Sequence, residues 1–263
     1  MGKYPIMKIT DMFLSKDQKL LNQIQRDCSL YISQAQAAHG WLYRGSKTFS
    51  SVRMGTSPTA RPAKDSDPQV SKWFDDNLQQ AGAVALRSNS IFTTGDSEHA
   101  AGYGHLYVVF PKNGSDYTWT NHKDIILQPN DMFSNSQAWP HVQKIRQYMH
   151  DNLSKVPENI NRIWVKLLTW NSAGDMMLKV INDFDQLGLP EQFRPHWATP
   201  QSHEQFIRKY QPQTNKTAGI AAAIASKHEV LVKGDYYALV APDWASKIQK
   251  KWQVPVHTDT KLN

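Results

Sequence analysis

Three short stretches of this chain carry side chains that could do chemistry together. Leu42-Tyr43-Arg44-Gly45 places a guanidinium at the end of a short apolar run. Arg87-Ser88-Asn89-Ser90-Ile91-Phe92-Thr93-Thr94-Gly95 supplies a series of hydroxyls on a strand-like segment. Lys227-His228-Glu229-Val230-Leu231-Val232 sets one carboxylate, Glu229, at the mouth of a β-branched run. Taken singly, a strand arginine is an ordinary surface or salt-bridged residue, and a strand-end acid is a solvated one. As a set they offer a cation, hydroxyls and an anion on segments far apart in sequence. Other chemistries are excluded by spacing. There is no Walker loop, and no G-x-G-x-x-G follows a strand. The ten histidines are dispersed, none forms H-E-x-x-H, and adjacent pairs such as His203-Glu204 and His228-Glu229 would point to opposite faces of a strand. No metal site is expected.

The elements that must position these residues follow from periodicity. Apolar residues from Met12 to Ile32 recur at helical spacing with no internal Pro or Gly, which predicts one or two helices before Gly40 as the C-terminal stop. Trp41–Arg44 and Ser50–Met54 read as short strands. Asp67-Pro68 opens a helix through Leu78. Ala83–Phe92 reads as a strand, and Asp96-Ser97-Glu98 caps a short helix to Tyr103-Gly104. Leu106–Phe110 is the clearest strand, with Tyr117–Thr120 expected to return beside it. Val142 to Leu153 forms a helical stripe, while 160–170 fits a strand or a buried helix. Helices are expected at 175–184, 203–210 and 217–225. The two runs flanking Gly234-Asp235 read as a hairpin, followed by a basic amphipathic helix around Trp244 to Trp252. Short strands between short helices, without regular alternation, predict an α+β fold.

Composition bounds the rest. With 263 residues, 40% of them apolar, and nine tryptophans, the chain can bury a sizeable core. One cysteine, Cys28, leaves no internal disulfide and suits a reducing compartment. No apolar run approaches a membrane span, and Met1–Thr10 lacks a signal-peptide core, so a cytoplasmic protein without a membrane partner is expected. The formal charge of +7 favours acidic partners, because positive potential concentrates anions.

The three stretches resemble the motifs of the ADP-ribosyltransferase superfamily, in the branch whose signature is Arg, then Ser-x-Ser, then Glu. Leu42-Tyr43-Arg44-Gly45 resembles the first motif, Ser88-Asn89-Ser90 the Ser-Thr-Ser element with Asn in the middle, and Glu229-Val230-Leu231-Val232 the element bearing the catalytic glutamate. The run from Ser90 through Gly95-Asp96 to Ala100-Ala101-Gly102-Tyr103 is similar to the strand, turn and A-x-x-Y helix that follow in that superfamily. The likeness spans roughly Trp41 to Val240 and extends to small bacteriophage-encoded ADP-ribosyltransferases.

This resemblance implies a split β-sandwich of two small sheets flanked by helices. It implies a single domain over 1–263, with a helical segment over 1–40, a catalytic core over 41–240 and a tail helix over 241–263. Its substrate would be NAD, with Arg44 on the phosphates, Glu229 facing the ribosyl cation, and Ser88 or Ser90 placing Glu229 or the nicotinamide ribose; Thr93 or Thr94 could supply that hydroxyl instead. Gly45, Phe92, Thr93 and Tyr103 would complete the NAD site, with Phe92, Tyr103 or Tyr107 packing on the nicotinamide. Paired, charge-assisted hydrogen bonds from a planar guanidinium suit a pyrophosphate, and a carboxylate suits the oxocarbenium character that develops when the glycosidic bond breaks. The activity implied is mono-ADP-ribosyl transfer by a monomer to an acidic macromolecular acceptor, a host protein or nucleic acid. NAD glycohydrolysis, or non-catalytic binding of nucleic acid or a host protein, is the alternative. Lys227 stands where arginine-modifying members carry an acid or Gln, and a cation there would repel a guanidinium acceptor.

Overall fold

The computed structural model describes residues 14–62, 68–122, 135–170, 173–195, 202–217 and 219–258. The chain divides into two compact units. One gathers Met1–Arg61, Ala81–Ile125 and Tyr210–Asn263, and the other Pro62–Gln80 and Ile126–Lys209.

The first unit is built on one antiparallel sheet of eight strands. In chain order these are β1 (Leu42–Ser46), β2 (Val52–Thr56), β3 (Ile91–Thr94), β4 (His105–Pro111), β5 (Asp116–Trp119), β6 (Gln213–Thr214), β7 (Glu229–Lys233) and β8 (Asp235–Val240). Their spatial order is β2-β8-β4-β1-β3-β7-β5-β6. The α+β expectation therefore holds, with helices and one antiparallel sheet in the same chain. The sheet is pinched in the middle: β1 and β4 share five residue pairs and β3 and β7 share four, but β1 meets β3 at the single pair Tyr43↔Thr94. Arg44, Gly45 and Ser46 pair only with β4.

Two pairing expectations are overturned. β7 and β8 are strands, as their composition predicts, but they do not pair with each other: β7 lies between β3 and β5, and β8 between β2 and β4. One residue, Gly234, separates them, whereas the shortest common hairpin loop has about two. Gly234 sits at φ +134. Its N–H donates to Ser57 Oγ at 3.0 Å, and its carbonyl accepts from Ser57 N–H at 2.9 Å, so the chain steps from one half of the sheet to the other there. β5 likewise pairs with β6 and β7 instead of β4.

Helices cover the sheet. α1 (Lys16–Asp27) opens with a capping box in which Gln18 N–H donates to Ser15 Oγ and Ser15 N–H to Gln18 Oε1; α2 (Ser29–Ala37) follows directly. The left-handed residue after α2 is His39, at φ 49. Gly40 matters for space instead, since a Cβ there would stand 3.0 Å from Ile224 Cγ2. α3 (Pro68–Gln80) belongs to the second unit, and α4 (Ser97–Ala101) packs against β1. The core of the first unit is aromatic: fully buried Trp41 lies 5.2 Å from the Phe110 ring and 5.7 Å from Trp252, on the apolar face of the C-terminal helix Ala241–Trp252.

The second unit also contains α5 (Asn135–Asn152), α6 (Glu158–Leu168), α7 (Ala173–Asp183) and α8 (His203–Tyr210). The ambiguous run at 160–170 is helical; it buries Trp164 and Leu167 and Trp164 Nε1–H donates to the Leu187 carbonyl at 2.9 Å. Phe206 is fully buried, edge-on to Trp73 at 5.5 Å and Phe74 at 5.1 Å. Two further helices among the described residues, α9 (Ile220–Ser226) and α10 (Ala241–Trp252), belong to the first unit. No helix among the described residues is long and apolar enough to cross a membrane.

Candidate functional site

The three chemistry-bearing stretches fall on the neighbouring strands β1, β3 and β7. Thr94 is paired with Tyr43 on one side and with Glu229 on the other, so two strand spacings, about 10 Å, separate the backbones at this level. Alternation of strand side chains would set Glu229 in step with Tyr43 and one residue out of step with Arg44. Past Tyr43↔Thr94 the ladder between β1 and β3 stops, but Arg44 stays in the ladder with β4, opposite Tyr107, so alternation along β1 sets Arg44 on the face opposite to Tyr43 and Glu229.

Arg44 is partly buried beside this break, and its Nη1 is buried with no hydrogen-bond partner among the described residues. Burial lowers the guanidinium's pKa from its ordinary value, with Arg53 acting in the same direction and Tyr236 against it. A guanidinium desolvated without an acceptor is costly, and an anion would remove that cost. The adjoining Gly45 is required by space: a Cβ there would stand 2.0 Å from the Ala100 carbonyl oxygen and 2.7 Å from Tyr103 Cβ. α4 therefore lies directly on β1. Asp96 caps this helix by accepting from Glu98 and His99 N–H.

The Ser-x-Ser segment is a turn rather than the first part of a strand, because Asn89 satisfies the local backbone. Its Oδ1 accepts from Leu86 N–H at 2.8 Å, its Nδ2 donates to the Val84 carbonyl at 3.2 Å, and its own N–H donates to the Leu86 carbonyl at 3.2 Å. The strand expected from Ala83 begins only at Ile91 for this reason. Ser90 is fully buried and its hydroxyl lies 3.1 Å from Asn89 Oδ1. Ser88 is half-buried, with its carbonyl accepting from Arg61 N–H at 2.7 Å. Thr93 donates to the Val230 carbonyl at 2.9 Å and Thr94 to the Lys227 carbonyl at 3.0 Å, so both threonines bond across to the segment carrying Glu229.

Glu229 itself forms an ion pair: Arg87 Nη1 donates to Glu229 Oε1 at 2.7 Å, with the two side chains 20% and 14% exposed in that order. The Arg87 guanidinium also lies 4.7 Å over the Phe92 ring, and that of Arg61 3.9 Å over the same ring. Phe92 is thus a platform for two arginines. Tyr107 is buried and held by its hydroxyl, which accepts from Ser50 N–H and donates to the Thr48 carbonyl. Tyr103 is 58% exposed beside His99. Lys227 lies outside the strand altogether; it caps α9 in the left-handed conformation at φ 58, so strand alternation does not relate it to Glu229.

Sequence reasoning gave Arg87 no role, although it directly precedes Ser88. Its signal was available only as a second arginine next to a hydroxyl-rich segment. No cluster of His, Cys, Asp or Glu that could hold a metal lies among the described residues. No family model, curated protein or solved structure matches this chain.

Proposed function

We propose that this chain is an NAD-dependent mono-ADP-ribosyltransferase, which moves ADP-ribose from NAD to a macromolecular acceptor and releases nicotinamide. The observation that carries this reading is the buried, unpartnered Nη1 of Arg44 at a break in the sheet, one strand removed from the strand that bears Glu229. A pyrophosphate would supply the acceptor that Arg44 Nη1 lacks among the described residues. The pinched sheet fits a split-sheet ADP-ribosyltransferase fold, with the dinucleotide entering where β1 and β3 stop pairing.

In the reaction, the bond between ribose C1′ and the nicotinamide nitrogen breaks, and its electron pair leaves with nicotinamide. The Glu229 carboxylate faces the positive charge developing on the ribose and accepts a hydrogen bond from a ribose hydroxyl. An acceptor nucleophile then attacks C1′, and its proton passes to water. With Lys227, Arg87 and Arg61 all near the Glu229 segment, the surroundings are cationic and suit an acidic acceptor, a nucleic acid or an acidic host protein.

The test is incubation with NAD labelled in its adenylate half and a bacterial extract. Label on protein or nucleic acid, absent with Glu229→Gln, supports transfer. Free ADP-ribose alone reassigns the chain as an NAD glycohydrolase, and no release of nicotinamide overturns the reading.

A further inference from the structure

We infer that Arg87 is a positioning residue for Glu229: it fixes the carboxylate's orientation through their ion pair and is itself held in place by Phe92 and Arg61. The inference rests on the transferase reading for its consequence, though not for the contact. Glu229 is the first residue of β7, its side chain is 14% exposed, and several staggered rotamers exist for a glutamate. A 2.7 Å charge-assisted bond from Arg87 selects one of them.

Arg87 needs holding too, since it lies in a turn. Three contacts supply this. The turn is closed by Asn89. The Phe92 ring lies under the Arg87 guanidinium, a cation–π contact that favours arginine over lysine by its planarity. Arg61 reaches the same ring, donates from Nη2 to the Arg87 carbonyl at 3.0 Å and from its backbone N–H to the Ser88 carbonyl. Two guanidinium groups over one ring repel each other, and the Glu229 carboxylate is the opposite charge that draws Arg87 to its side. Three of the four hydroxyls named for this duty bond elsewhere: Ser90 lies against Asn89, and Thr93 and Thr94 bond backbone carbonyls. Arg87 Nη1 meets the carboxylate directly.

The experiment has two arms on the full chain. In the first, nicotinamide release is measured for wild type, Arg87→Gln and Arg87→Lys. Misplacing a catalytic group costs roughly tenfold to a hundredfold, so Arg87→Gln should lower kcat by that factor while KM for NAD stays within about twofold, and Arg87→Lys should recover part of the loss. An unchanged kcat in Arg87→Gln, or a loss confined to KM, overturns the inference. The second arm needs no activity: melting temperatures of Arg87→Gln, Glu229→Gln and the double variant. If the two side chains act as a pair, the double variant melts no lower than the worse single one; additive shifts overturn the inference. A wild type that releases no nicotinamide refutes the transferase reading, and the melting arm still decides whether Arg87 holds Glu229.

Discussion

In the half-sheet β2-β8-β4-β1 each neighbouring pair of strands shares five residue pairs, whereas in β3-β7-β5-β6 the ladders shorten from four pairs to four and then two. The first half is filled by aromatic packing around Trp41 and Phe110. The second buries Thr93, Thr94, Thr118 and Thr214 and carries the Arg87–Glu229 pair. Each half also presents one arginine near the seam, and their situations are opposite: Arg44 has a buried nitrogen without an acceptor among the described residues, and Arg87 is bonded to a carboxylate. The longer ladders and the aromatic packing make the first half a framework, and the second half has shorter ladders, buried threonines and the ion pair. The two halves are joined at the seam by one pair, Tyr43↔Thr94.

The largest way to break this contrast is to empty the framework. Trp41 is fully buried between Tyr31, Phe110 and Trp252, so Trp41→Ala should cost about 3–5 kcal/mol, read by urea denaturation. A loss below about 1 kcal/mol would mean that the core does not depend on this cluster. In the polar half the same depth of effect should fall on turnover instead. Glu229→Gln keeps the shape while removing the charge, and should lower nicotinamide release by about a hundredfold to a thousandfold, with a smaller loss of stability than Trp41→Ala, from the broken ion pair with Arg87. A variant that melts far lower and turns over normally would reverse the roles assigned to the two halves.

Arg44 sharpens the comparison with a smaller effect of opposite sign. If its buried nitrogen is uncompensated in the free protein, Arg44→Met should stabilise the free chain by about 1 kcal/mol. The same variant should lose the rise in melting temperature that ADP-ribose gives the wild type by binding the folded state. Destabilisation of the free chain by Arg44→Met would show that the guanidinium already has a partner, and would remove the main support for an anion site.

How much of this could be read in the sequence differs between the halves for physical reasons. Strand identity was legible for β1, β4, β7 and β8, because Val, Tyr, Phe and Leu runs bounded by Gly and Asn are local signals. Strand pairing was not, because it depends on contacts far along the chain. Gly234-Asp235 resembles a hairpin turn, and only its bonds to Ser57 and the placement of β8 against β2 show that it is a crossing. The Ala83–Ser90 segment misled for a different reason: Asn89 offers its backbone local hydrogen bonds, and these compete with a ladder. Arg44 and Glu229 were singled out only as members of a resembling set of motifs, and the structure sets them on the strands that flank β3. Arg87 was hidden, since nothing in a linear pattern says which of thirty Lys and Arg residues will meet a given carboxylate.

The last prediction uses pH to address the framework alone. The Tyr237 hydroxyl on β8 donates to Asp27 at the end of α1 and accepts from Gln23 Nε2 at 3.0 Å. Burial, and then the bond to Asp27 and its charge, push the phenol up to about 12, against about 10 in an unfolded chain. Because the folded value is the higher one, the protonated phenol is favoured by folding. Its contribution is fully present below about pH 10 and lost as pH rises towards about 12. Wild type should therefore lose stability to urea across that window, while Tyr237→Phe, with no proton to lose, should show a shallower decline there and no pH-dependent difference from wild type between pH about 6 and 8. Identical alkaline profiles for the two proteins would mean that the α1–β8 contact does not depend on the phenol proton, and that the framework half is held by its apolar packing alone.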